Sequence, residues 1–131
     1  MKVQSTNNQV NFTAKFFHSD ALKKVAEYSV EHGKFDKLNQ ARINIDKASL
    51  RTRFLVDIGE HNGKPFVSFS SFAPKRFITV PRSMEDCRLV KTIKYVSENE
   101  PNILKFALQK IIKLGNCVPK NNMFKSLVGR K

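Results

Sequence analysis

Apolar Val10, Phe12, Ala14 and Phe16 alternate with Asn11, Thr13, Lys15 and Phe17, a period of two that predicts a half-buried strand near the start of the chain. The spacing then changes to helical. Leu22, Val25, Ala26 and Val30 share one face of a helix over residues 21–32, with Ser19 or Asp20 as its cap and Gly33 placed to end it in a left-handed conformation. Residues 34–49 carry mixed signals, and 41–45 reads as a short strand or part of a loop.

The clearest local pattern is a β-hairpin. Asn62-Gly63 suits a two-residue type I′ turn, whose two positions both need positive φ, and it separates Leu50–Gly59 from Lys64–Phe72. Pairing His61 with Lys64 sets Ile58 opposite Val67, Val56 opposite Phe69 and Phe54 opposite Ser71, which makes one face of the ribbon apolar. The other face then carries Arg51, Arg53, Leu55, Asp57, Phe66, Ser68, Ser70 and Phe72. A third strand is expected at 77–80, after Ala73-Pro74 and before Pro81.

Ser83, with Asp86 three residues on, reads as the capping start of a helix whose buried stripe is Leu89, Val90, Ile93 and Val96. After Asn99-Glu100-Pro101 a second late helix runs from Ile103 to Leu114, with a broad apolar face, and Gly115 is placed to stop it. The fold class that follows is α+β: an antiparallel sheet of three to five strands centred on the 50–72 hairpin, packed with one early and two late helices. Residues 1–118 form the single domain, and 119–131 form a basic C-terminal tail with Met123, Phe124, Leu127 and Val128 as apolar anchors.

Composition supports a folded globule. The chain has 131 residues, 40% hydrophobic and 27% charged, enough to bury one core without disulfides or metal. Charge changes the picture more. The formal net charge is +13, and no Asp or Glu follows Glu100, whereas Lys105, Lys110, Lys113, Lys120, Lys125, Arg130 and Lys131 do. Between Glu60 and Glu85, Lys64, Lys75, Arg76 and Arg82 likewise have no acidic neighbour. Such an excess repels itself within a folded domain, so a polyanionic partner accounts for it better than stability does.

The outer face of the hairpin is the candidate site, because Phe66 and Phe72 lie there with Arg51 and Arg53. Rings stack on bases while guanidinium groups meet phosphates. Lys64, Lys75, Arg76 and Arg82 would grip the backbone beside that face, and Lys120, Lys125, Arg130 and Lys131 in the tail would wrap it. The expected partner is nucleic acid, RNA or DNA, single strands above all. The alternative is an accessory or inhibitory protein, of the kind a phage or virus encodes, that docks on an acidic surface of a larger host enzyme.

Catalysis is not expected, and a small nuclease ranks third. His18, His32 and His61 are scattered, no Glu-x-Lys or Asp-x-Lys occurs, and the phosphate-binding glycine patterns are missing. Cys87, expected in the first turn of a helix, adjoins Glu85 and Asp86, which oppose a thiolate, and is read as a packing residue. Cys87 and Cys117 lack metal-ligand spacing, so no metal or cofactor is expected, and two reduced thiols suit the cytoplasm. No run reaches the roughly 20 apolar residues of a membrane span, and the first residues lack the apolar core of a signal peptide.

Overall fold

The computed structural model describes residues 16–48, 52–79, 81–118 and 122–128. Helix α1 spans Asp20–Glu31, capped by Ser19, whose Oγ accepts from the Leu22 amide. Val25, Leu22 and Ala26 turn into the core, and Gly33 follows at φ +68°, as the helical spacing and the glycine predict. The N-terminal strand expected over residues 10–17 lies mostly outside the described residues. Its last part is ordered against the hairpin: Phe16 bridges Phe54 in parallel, and the Phe17 amide donates to the Phe54 carbonyl at 2.7 Å.

Residues 34–49 need correction, because they contain a second early helix, α2, over Phe35–Ala48. Leu38, Ala41 and Ile45 recur at helical spacing and are buried, while Arg42 and Asp46 pair one turn apart at 2.7 Å. Burial of that narrow apolar stripe outweighs the weak helix propensity of Asn39, Ile43 and Asn44.

The hairpin forms as its turn dictates. Strand β1, Arg53–His61, pairs antiparallel with β2, Lys64–Pro74, in the expected register from His61 opposite Lys64 to Arg53 opposite Phe72. Asn62 and Gly63 sit at φ +55° and +80°, the positive pair of a type I′ turn.

The next segment departs from expectation twice. No strand forms over 77–79, which belong to a loop, and residue 80 of the expected strand lies outside the described residues. The helix expected from Ser83 is only a single 3₁₀ turn, Met84–Asp86, and Cys87–Val96 is strand β3, antiparallel to β2. Leu89, Val90, Ile93 and Val96 satisfy helical spacing by coincidence; Val90, Thr92, Ile93, Tyr95 and Val96 are β-formers, and pairing to β2 decides the matter. Cys87 accordingly opens a strand, and it is buried. A bulge near Ser71 and Phe72 shifts the β3 register by one residue.

Helix α3, Ile103–Asn116, starts at Asn102, whose side chain accepts from the Leu104 and Lys105 amides. It runs through Gly115 rather than stopping there. A final helix, α4, Asn122–Val128, occupies part of the stretch read as a basic tail, and its Phe124 and Leu127 are buried in the common core.

These elements make two layers. Among the described residues the sheet has three strands in the order β1-β2-β3, and its Phe54, Val56, Val67 and Phe69 pack with the apolar faces of all four helices. The fold is α+β with an antiparallel sheet, as the pattern predicts.

Candidate nucleic-acid interface

Alternation along a strand sends neighbouring side chains to opposite faces, so the residues between the core positions point away from the helices. By register these include Arg53, Leu55 and Asp57 on β1, Phe66 and Phe72 on β2, and Lys94 and Val96 on β3. The bond between Ser70 Oγ and Thr92 Oγ1, 2.9 Å, joins β2 and β3 across this face. Of its apolar side chains, Leu55, Phe66, Phe72 and Val96 stay outside the core cluster that the helices share, while Ser68 in the middle of the face is buried.

Phe66 and Phe72 are half-buried, each for a local reason. The Phe66 ring leans over Gly59 of β1, where a Cβ would lie 2.7 Å from the ring, so the missing side chain makes room for it. The Lys94 ammonium sits 4.4 Å from the Phe66 centroid and itself donates to His61 Nδ1 at 3.2 Å. Phe72 meets Phe17 edge-on at 5.5 Å. The two rings are six positions apart along β2, about 20 Å at 3.3 Å per residue.

Charge gathers around the rings. Arg53 is half-buried, and its guanidinium partly offsets the effect of burial, which lifts the Cys87 thiol above its ordinary pKa. Lys64 is exposed at the turn end, 3.4 Å from Glu98.

The loop after β2 adds Lys75, Arg76 and Arg82, all exposed. Its base is tied: the Lys75 amide donates to the Asp86 carbonyl at 2.8 Å, and the Arg82 amide to Asp86 Oδ2 at 2.9 Å. Phe77 is carried near its tip, 93% exposed.

The structure therefore brings Arg53, Lys64, Phe66 and Phe72 to one sheet face, with Lys75, Arg76 and Arg82 in the adjoining loop. Lys125 is exposed on α4, in the helical layer. Arg51, Lys120, Arg130 and Lys131 lie outside the described residues. Lys94 is not among the residues the sequence points to, because 83–96 reads as a helix, and Phe77, which ends the basic stretch 74–77 and opens the expected strand, is given no binding role there. The density of β-branched residues over 90–96 was the signal for the first.

A second cationic surface lies on the opposite side. Lys34, Lys37, Lys105 and Lys113 rim a groove of about 560 Å³ with Leu108 and Ile112 in its wall. Lys105 is 3.4 Å from Glu100. His32 belongs to this groove, stacked on Tyr28 at 4.0 Å with its Nδ1 2.9 Å from the Tyr28 carbonyl. His61 faces Lys94, and His18 is exposed before α1, so the three imidazoles have different surroundings. Among the described residues no group of three or more His, Cys, Asp or Glu is arranged to hold a metal ion, and no helix is long and apolar enough to cross a membrane. Both cysteines are free thiols, Cys87 buried and Cys117 exposed.

Compared with known protein families, curated proteins and solved structures, the chain matches none of them.

Proposed function

We propose that this protein is a nucleic-acid-binding module without catalysis, working in the cytoplasm, and that its interface is the open sheet face with the adjoining basic loop. The observation that carries this reading is that the helices pack on one side of the sheet, leaving rings and cations together on the other. Arg53, Lys64 and Lys94 would neutralise phosphates, Lys75, Arg76 and Arg82 would extend the track, and Phe72 would offer a ring edge to bases. Phe66 would do so only once Lys94 leaves its ring for a phosphate. The net charge of +13 supports the same class of partner.

Fluorescence anisotropy with a labelled single-stranded oligonucleotide tests this. Log affinity is expected to fall linearly with log salt, by about 0.7 per neutralised phosphate. The pair Arg53→Glu and Lys94→Glu should weaken binding about tenfold or more at low salt, and Lys34→Glu with Lys37→Glu far less. Absence of binding at roughly 100 μM protein and low salt, where even non-specific binders register, would defeat the reading.

The groove on the helical side favours a second reading, an accessory protein docked on an acidic partner. Its lysines stand around apolar Leu108 and Ile112, which suits an acidic segment with an apolar side. Under that reading the Lys34 and Lys37 reversals, and not those on the sheet, abolish function.

A further inference from the structure

We propose that Phe77, backed by Arg76, is a stacking finger for an unpaired base of a single-stranded nucleic acid; this rests on the nucleic-acid reading above and names the feature that selects single strands. Phe77 is 93% exposed, the most exposed of the large hydrophobic side chains among the described residues. Its backbone lies at φ +71°, a region that a bulky side chain enters at a cost and that folded proteins keep mainly where the surroundings impose it. Here a tight turn imposes it, closed by the Ile78 amide on the Lys75 carbonyl at 3.0 Å. The ring is thereby presented to solvent, where it adds little to the core.

The Arg76 guanidinium lies 5.1 Å from the Phe77 centroid and occupies one side of the ring. That leaves the other side for a flat partner, and it keeps a cation within reach of the phosphate attached to that partner. Lys75 and Arg82 stand on the same loop, exposed, with both amides bonded to Asp86; the next acids in sequence are Glu85 and Asp86. An aromatic side chain among cations fits a nucleobase joined to phosphates better than it fits an apolar protein surface. In a duplex both faces of a base are already stacked, so the finger is selective for unpaired bases.

The chain has no Trp, so Phe77→Trp places a unique fluorophore at the site. Its indole emission should be quenched by a single-stranded oligonucleotide, and much less by a duplex of equal length, by an abasic strand or by heparin. Phe77→Ala should lower affinity for the single strand by about 5- to 150-fold, the effect of losing one stacked base. It should leave affinity for the abasic strand, the salt slope and the melting temperature unchanged. Phe77→Ala binding the single strand like wild type, or losing heparin and single strand in equal measure, would overturn the proposal. Quenching by polyglutamate equal to that by the oligonucleotide would overturn it too, by assigning the finger to an acidic protein. If wild type binds no nucleic acid at all, the broader reading falls with it; if wild type binds and Phe77 is silent, only the finger falls.

Discussion

Gly115 lies inside α3 against Ala41 of α2, where a Cβ would run into the Ala41 backbone. The contact is with backbone, which cannot swing away, so the glycine sets how closely the two helices approach. Gly115→Ala gains about 1 kcal/mol of helix propensity, yet overpacking costs about 1–3 kcal/mol or more, and chemical denaturation should show net destabilisation. At Gly59 the obstructing atoms belong to the Phe66 ring, the end of a side chain that can rotate, so Gly59→Ala should cost less while loosening the Phe66 and Lys94 pairing. A sequence shows that a glycine is present; whether it ends a helix or lets one pass depends on what approaches it, and Ala41 is 74 positions away. The two thiols also differ. Iodoacetamide should modify exposed Cys117 readily and buried Cys87 slowly. Burial raises the Cys87 pKa, so its contribution to stability is whole below its ordinary value of 9.0 and lost as pH rises through the folded value. Lys110 acts in the opposite sense. Burial, with Lys113 beside it, lowers its pKa, so stability rises with pH between that lowered value and 10.5. Comparing thermal unfolding of wild type, Cys87→Ala and Lys110→Met from pH 8 to 10.5 separates the two slopes.

Helix α4 changes what removal of the C-terminal residues should do. Phe124 is buried with its ring 6.3 Å from that of Phe54, and Leu127 is fully buried. Phe124→Ala should therefore cost about 3–5 kcal/mol and Leu127→Ala about 2–5 kcal/mol in denaturant unfolding, whereas Lys125→Gln should leave stability nearly unchanged. The anchors were legible as apolar residues, but their docking was not, because seven residues form too short a helix to stand alone and take their order from the sheet. The hairpin is the contrasting case. Its turn residues and alternation lie next to each other in sequence, so register follows from local chemistry alone. Strand β3 stands between, since its four apolar residues fit the helical period and fall on both faces of a strand, so that only pairing with β2 selects the strand. Within the sheet, Phe69→Ala should cost about 3–5 kcal/mol, and Phe66→Ala or Phe72→Ala distinctly less, because those rings are half-exposed.

Across the whole molecule, positive charge was legible as a total but not as a distribution. Runs without acids pointed to Lys64, Lys75, Arg76 and Arg82, and the fold places these beside the open face or at its end. It was folding that added Lys94, brought from a segment read as helix, and that gathered Lys34, Lys37, Lys105 and Lys113 around a groove on the other side. Raising ionic strength should thus weaken binding far more than it changes the melting temperature, since the charges concerned are solvent-facing and screened within about 8 Å at physiological salt. Calorimetry and anisotropy over one salt series would check both halves of that expectation. The start of α1 bears on how the molecule behaves in a crowd. Strand β1 has a side turned away from β2, and its carbonyls there could pair with any extended chain that came near. Two are already engaged: Phe54 accepts from the Phe17 amide, and Val56 accepts from Ser19 Oγ at 3.1 Å. A hydroxyl whose first task is to begin a helix thereby also guards an edge against intermolecular strand addition. Ser19→Ala would free the Val56 carbonyl, and light scattering on warming should report the sheets of separate molecules growing into one another.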